Sequence, residues 1–255
     1  MLPHYPLPVG LGTRLAVAIV FRRQVNFAQQ ARHYVSRLEP PIEIIGEQHI
    51  PKAGPCLLTI NHYSRPGFRS WWLTLSVSAK VQVHIHWIIA NAWTYPDKLR
   101  SGTLTPITKA LFSQIATSLD FSAMPPMPPR PQDLTSRAQT VRRVLHHVQK
   151  VMQNGDRTQL MIGLAPEGGD MPGGALGQPP PGVGRFVEQL ARMGLNIAPI
   201  GIFEANGRLC LNFGSQYQIS IPPGLAKHDR DREVSRLVME HISALVPETL
   251  GYHFR

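Results

Sequence analysis

PCLLTINHYSRPGFRSWW, residues 55–72, decides how the rest of the chain is read. The unbroken apolar run Cys56-Leu57-Leu58-Thr59-Ile60 suits a strand buried on both faces. Asn61-His62 then opens a polar loop, and a tryptophan-rich helix is expected from Phe68. The same grammar returns at TQLMIGLAPEGG (158–169), a strand running into the glycine-rich loop Pro166-Glu167-Gly168-Gly169-Asp170. Strands alternating with helices imply an α/β fold.

Working outward, IEIIG (42–46), VQVHIHWIIA (81–90), LDFSAM (119–124), LNIAPIGIF (195–203), RLCLNFG (208–214) and YQISI (217–221) read as further strands. Helices are expected over 105–119, over 182–193 with Gly194 as its stop, and over 229–246. Asp133 caps another, with Leu134, Ala138, Val141, Leu145, Val148 and Met152 on one face and Asn154-Gly155 ending it. The proline-dense segment 125–131 forms a stiff extended loop. The expectation is one α/β domain with a central mixed β-sheet flanked by helices, residues 42–255, behind an N-terminal helical appendage, residues 1–41.

That appendage is read as a helix over 11–38. Phe27, Ala31, Tyr34, Val35 and Leu38 recur at helical spacing, with Arg14, Arg22, Arg23, Arg32 and Arg37 around them. Such a helix can lie on an anionic lipid surface or dock on its own protein with solvated arginines. The chain carries 26 Lys+Arg against 16 Asp+Glu, a formal charge of +10, which favours anionic partners. No aromatic-interleaved basic stretch points to nucleic acid. The longest apolar run, 15–21, is far below the roughly 20 residues that span a bilayer. Cys56 and Cys210, both in strand-like runs, read as buried reduced thiols of a cytoplasmic protein.

Chemistry is concentrated in the two loops. A histidine at a strand end can act as a general base, its ordinary pKa being about 6.5. Glycines in the second loop let backbone amides approach a phosphate or an oxyanion. His84 and His86 fall on one side of a strand, but no third ligand at metal-binding spacing accompanies them. Residues 146–147 read as a solvated helix face, and Trp71, Trp72 and Trp87 as core or as walls of an acyl channel.

In this order the loops resemble the motifs of the glycerolipid acyltransferase family, the lysophosphatidate acyltransferases. That family has Asn-His, four residues and Asp in its first motif, and Pro-Glu-Gly-Thr-Arg in its third. Here Asn61-His62 is followed by Gly67 where the Asp belongs, and Pro166-Glu167-Gly168 by Gly169-Asp170. Gly46, Pro51 to Pro55 and Asn196-Ile197-Ala198-Pro199-Ile200-Gly201 resemble the flanking motifs, so the resemblance spans residues 42 to 221.

It implies transfer of a fatty acyl group from acyl-CoA or acyl carrier protein, with no cofactor or metal, to a lysophospholipid or related hydroxyl. His62 would be the base. Asn61, Glu167, Gly168 and Gly169 would organise the substrate, and Arg65, Arg69, Arg130 and Arg185 are candidate ligands for its anionic group. The protein would sit peripherally on the inner face of the cell membrane. Because the first loop has no acid, Asp170 is expected to orient His62, with Arg65 or Arg69 replacing the lost Arg. The competing reading is a catalytically degenerate lipid-binding protein of the same fold.

Overall fold

The computed structural model describes residues 3–6, 9–92, 98–125, 133–169, 172–221 and 224–251. In chain order the helices and strands are α1 (Val9–Val20), α2 (Phe27–Val35), β1 (Glu43–Ile45), β2 (Cys56–Ile60), α3 (Trp71–Lys80), β3 (His86–Ala90) and α4 (Lys98–Leu119). There follow β4 (Ser122–Met124), α5 (Asp133–Asn154), β5 (Met161–Leu164), α6 (Val183–Arg192), β6 (Asn196–Ala205), β7 (Arg208–Phe213) and α7 (Lys227–Ser243). The chain is a single α/β domain.

Its mixed sheet has seven strands in the order β1-β7-β6-β2-β5-β3-β4. Every neighbouring pair is parallel except β6 with β7. That exception is a hairpin through Asn206-Gly207, both at positive φ (50° and 73°), the backbone that a two-residue primed turn requires.

β2 lies at the centre and all five of its residues are buried. Alternation divides them between two layers. Cys56, Leu58 and Ile60 join a core with α2, α3 and the end of α4, whereas Leu57 packs with Val144, Val187, Leu190, Val234 and Val238 from α5, α6 and α7. Burial on both faces explains the uninterrupted apolar run.

The N-terminal region departs from the single expected helix. Chain 21–26 breaks it, with Arg22 at φ 51° and Asn26 capping α2 by accepting from the Gln29 amide at 2.9 Å. The stripe Phe27, Ala31, Val35 and Leu38 is buried in the core beneath α3, so α2 is a docked helix and not a lipid-facing one. On α1 and just beyond it, Val9, Val17, Val20 and Phe21 are exposed instead, Val20 by 74%.

Two strands are shorter than the sequence suggests. β3 begins only at His86, opposite Ile162 of β5; residues 81–85 have no neighbouring ladder. The segment 217–221 contributes a single bridge, Tyr217 to Ile197. No helix among the described residues is long and apolar enough to cross a membrane.

Candidate active site

Because β2 runs parallel to both β5 and β6, the carboxyl ends of all three strands reach the same sheet edge. Thr59 stands beside Leu164 and Ile60 beside Ile200. Residues 61–69 and 165–169 therefore become neighbours, at the place where α/β sheets bind ligands.

Asn61 is fully buried. Its side chain donates to the Ile202 carbonyl (2.8 Å) and accepts from the Ile202 amide (2.6 Å), extending the β2–β6 ladder by one residue through a side-chain amide. Asn61 thus anchors the histidine loop to β6, with its side chain buried in the sheet.

Glu167 has a similar holding task. Only 7% exposed, it accepts from the His62 backbone amide through Oε2 and from the Gly177 amide through Oε1 (2.6 Å). Burial pushes its carboxyl above the usual range, and the two amide donors pull it back. A single carboxylate thereby ties the histidine loop to the 172–177 segment. The sequence reading gave Glu167 to the substrate head group; the geometry gives both its oxygens to the protein backbone. His62 itself is half-buried beside this tie.

Gly67, which stands where the resembled motif has Asp, occupies a position that calls for glycine. Residues 65–68 form a turn closed by the Phe68 amide on the Arg65 carbonyl (3.1 Å), with Pro66 second and Gly67 third at φ 84°. A positive φ at the third position of a turn favours glycine and disfavours a residue with a Cβ, and proline suits the second position.

Arg65 is occupied too. Its guanidinium grips the buried Glu204 of β6 in a two-point ion pair, Nε at 2.5 Å and Nη2 at 2.8 Å, and also donates to the carbonyls of Pro66 and Pro3. It is consumed as a structural cation, contrary to the expected ligand role. Arg69 is exposed, with its guanidinium 5.9 Å from the centre of the Trp71 ring. Arg130 and Asp170 lie outside the described residues, so the expected pairing of Asp170 with His62 does too.

A cleft of about 670 Å³ opens beside Pro166 and Gly168 at this sheet edge. Its apolar wall includes Ile88, Met124, Val141, Leu145, Leu164 and Phe186. Arg137 and Arg142 of α5 and Arg185 of α6 supply the positive charge. Arg185 lines this cleft, and so do Arg137 and Arg142, neither of which the sequence motifs single out as a ligand. Gly168, at φ 72°, faces the cleft mouth and is exposed, while Gly169 is half-buried. Two of the amides that open α6 are not available to an anion, because Asp231 of α7 already accepts from the Gly182 and Arg185 amides at 2.7 and 2.8 Å.

His84 and His86 both turn to Asp120, at 3.6 and 3.7 Å, and His86 also contacts Ser122 Oγ (2.9 Å) and stacks on His147. Among the described residues no group of three or more His, Cys, Asp or Glu is placed to hold a metal ion. Trp72 and Trp87 are core residues, 0 and 1% exposed.

Comparison with protein-family models and with curated protein sequences gives no match. Among solved structures, the chain is similar to PlsC, the 1-acyl-sn-glycerophosphate (LPA) acyltransferase of Thermotoga maritima. The TM-score is 0.47 and the identity 14%, over 86% of this chain and 77% of that one.

Proposed function

We propose that this protein transfers a fatty acyl group from an acyl thioester, acyl-CoA or acyl carrier protein, to the hydroxyl of a lysophospholipid or related lipid. The observation that carries the reading is His62 at the carboxyl end of a buried central strand, its loop pinned by Asn61 and by Glu167, whose neighbours Pro166 and Gly168 border an apolar cleft bearing arginines.

In this reading His62 takes the acceptor's hydroxyl proton as its oxygen attacks the thioester carbonyl. A C–O bond forms, the C–S bond breaks, and the proton passes through the imidazole to the departing thiolate. No acyl-enzyme forms, and the reaction calls for no resident metal or cofactor. The cleft's apolar wall suits an acyl chain, and Arg137, Arg142 and Arg185 suit a phosphate-bearing head or carrier. Asp170, assigned from sequence, is the carboxylate that orients His62. Residues 1–41 would supply contact with anionic membrane at the inner face, and residues 42–255 the chemistry.

The test is acceptor-dependent thiol release from acyl-CoA and from acyl carrier protein, offered mixed lysophospholipids. His62→Ala is expected to lower it by at least about a hundredfold with the fold retained, since positioned bases contribute about two to four orders of magnitude. A loss below tenfold removes His62 from the chemistry. Asp170→Asn is expected to approach the same loss and to add little to His62→Ala. One observation favours a second reading, a noncatalytic lipid-binding protein: the histidine loop has no acid, and its Arg65 is spent internally. Saturable binding of lysophospholipid without thiol release is the result that would establish it.

A further inference from the structure

Glu204, near the end of β6, is a buried carboxylate, with its side chain only 3% exposed. Four hydrogen bonds converge on it. Arg65 supplies two, Tyr63 Oη donates at 3.1 Å, and Tyr5 Oη donates at 2.6 Å. Two of these donors, Tyr63 and Arg65, lie one and three residues after His62. The third reaches in from the N-terminal segment, next to α1. The same segment is bound from the other side: Tyr5 packs edge-on against Phe68 (5.1 Å) and against Trp72, while Arg65 donates to the Pro3 carbonyl.

Pairing a buried carboxylate with one guanidinium would already meet its charge. The two tyrosine hydroxyls add a different function, joining three separate stretches of chain at one point. β6 is also the strand whose Ile202 holds Asn61. His62 therefore sits between two anchors on the same strand, Asn61 on its N-terminal side and the Tyr63–Arg65 pair on its C-terminal side.

We infer that Glu204 is a positioning residue for His62, and that Tyr5 uses it to couple the N-terminal segment to the histidine loop. The inference rests on the acyl-transfer reading for what His62 does, but not for the coupling. Loop 61–69 carries no acid of its own, so β6 supplies a second carboxylate, besides Glu167, that fixes its conformation. Release of the Tyr5 hydroxyl loosens that loop through Glu204, and the coupling needs no contact between the N-terminal segment and substrate.

The test uses the full chain and two readouts. Hydrogen exchange follows peptides covering 3–20 and 61–69; steady-state kinetics follow thiol release from acyl-CoA with a lysophospholipid. Glu204→Gln turns an amide NH₂ against the guanidinium. It is expected to speed exchange in both peptides but not in β5, and to lower kcat by up to about a hundredfold, the cost of a misplaced catalytic group. KM should move far less, because acceptor and thioester are bound elsewhere. Glu204→Asp, which keeps the charge, is expected to recover part of kcat. Tyr5→Phe leaves the ion pair whole and folds even where Glu204→Gln does not. It should speed exchange at 61–69 severalfold.

Unchanged exchange at 61–69 in Tyr5→Phe overturns the coupling, and kcat unchanged in a folded Glu204→Gln overturns the positioning role. Coupled exchange in a wild-type chain that releases no thiol with any acceptor sinks the acyl-transfer reading and sustains the coupling.

Discussion

At Gly67 a missing carboxylate and a tight turn are one fact. The third position of the Arg65–Phe68 turn sits at φ 84°, and a Cβ there would lie 3.3 Å from Arg65 Nη1. An Asp at this position thus forces a left-handed backbone on a residue with a side chain and offers Arg65 a rival to Glu204. Gly67→Asp is expected to cost about 1 kcal/mol or more in denaturant unfolding and to return no turnover. A rise in thiol release would show that the loop tolerates the family geometry after all. Glu167 supports a second prediction at this scale. In Glu167→Gln one oxygen can still accept a backbone N–H, but the other position becomes a donor facing the second. The loss should be roughly 1–3 kcal/mol, with faster exchange at the His62 and Gly177 amides. Both motif residues were legible as important from the sequence. Their tasks were not, because a carboxylate that holds backbone amides and one that holds substrate have the same local sequence.

Among the elements, the central strands were readable because burial on both faces leaves an unbroken apolar run, as in β2 and β6. Where the sequence misled, pairing partners were the reason. VQVHIHWIIA is uniformly strand-like, yet its first half has nothing to pair with. The stripe on α2 was correctly seen as apolar, but periodicity cannot say whether protein or lipid covers it. The Asn206-Gly207 signal for the one antiparallel pair was present and went unread, and with it the position of Glu204 just before the turn. The α4–β4 junction yields a pH prediction. Asp120 stands at φ 56° between His84 and His86, whose contacts hold its carboxyl well below the usual aspartate range. A depressed folded pKa gives stability that is present above the unfolded value, about 3.9, and lost as pH falls through the folded one. Asp120→Asn keeps the shape and suits the left-handed backbone, so it isolates the charge. It should destabilise at pH 7 by about 1 kcal/mol, a modest figure because Asp120 is half-exposed, and by progressively less as pH drops below 4. An equal loss at pH 7 and in strong acid would show that the histidines do not hold Asp120 by charge.

For the whole molecule, of charge +10, the proposed contact with anionic lipid has to be placed on α1, because the sequence's apolar stripe is core. Phe27, Ala31, Val35 and Leu38 are core residues, so removing everything before Glu39 would expose the interior and unfold the chain instead of testing attachment. The exposed set on α1 and its end is Val9, Val17, Val20 and Phe21, flanked by the exposed Arg22 and Arg23. Apolar side chains beside arginines can enter the headgroup boundary of an anionic bilayer while the charges stay at its surface. Because Val17 and Phe21 are 49 and 64% exposed, changing both to serine should leave thermal stability within about 0.5 kcal/mol, as for surface positions generally. Burying such side chains in lipid is worth roughly 1.5–3 kcal/mol each, so the double variant should lose at least about a hundredfold in partitioning. Flotation with phosphatidylcholine vesicles containing phosphatidylserine measures this directly. Raising salt should weaken the wild type by screening the arginines, each worth about 1 kcal/mol near the surface. Leu11, on the same helix but buried, is the internal control: Leu11→Ser should lower the melting temperature and leave the flotation of folded protein unchanged. Equal flotation of the wild type and the Val17→Ser, Phe21→Ser double variant would take α1 out of the membrane and leave the basic surface with another anionic partner.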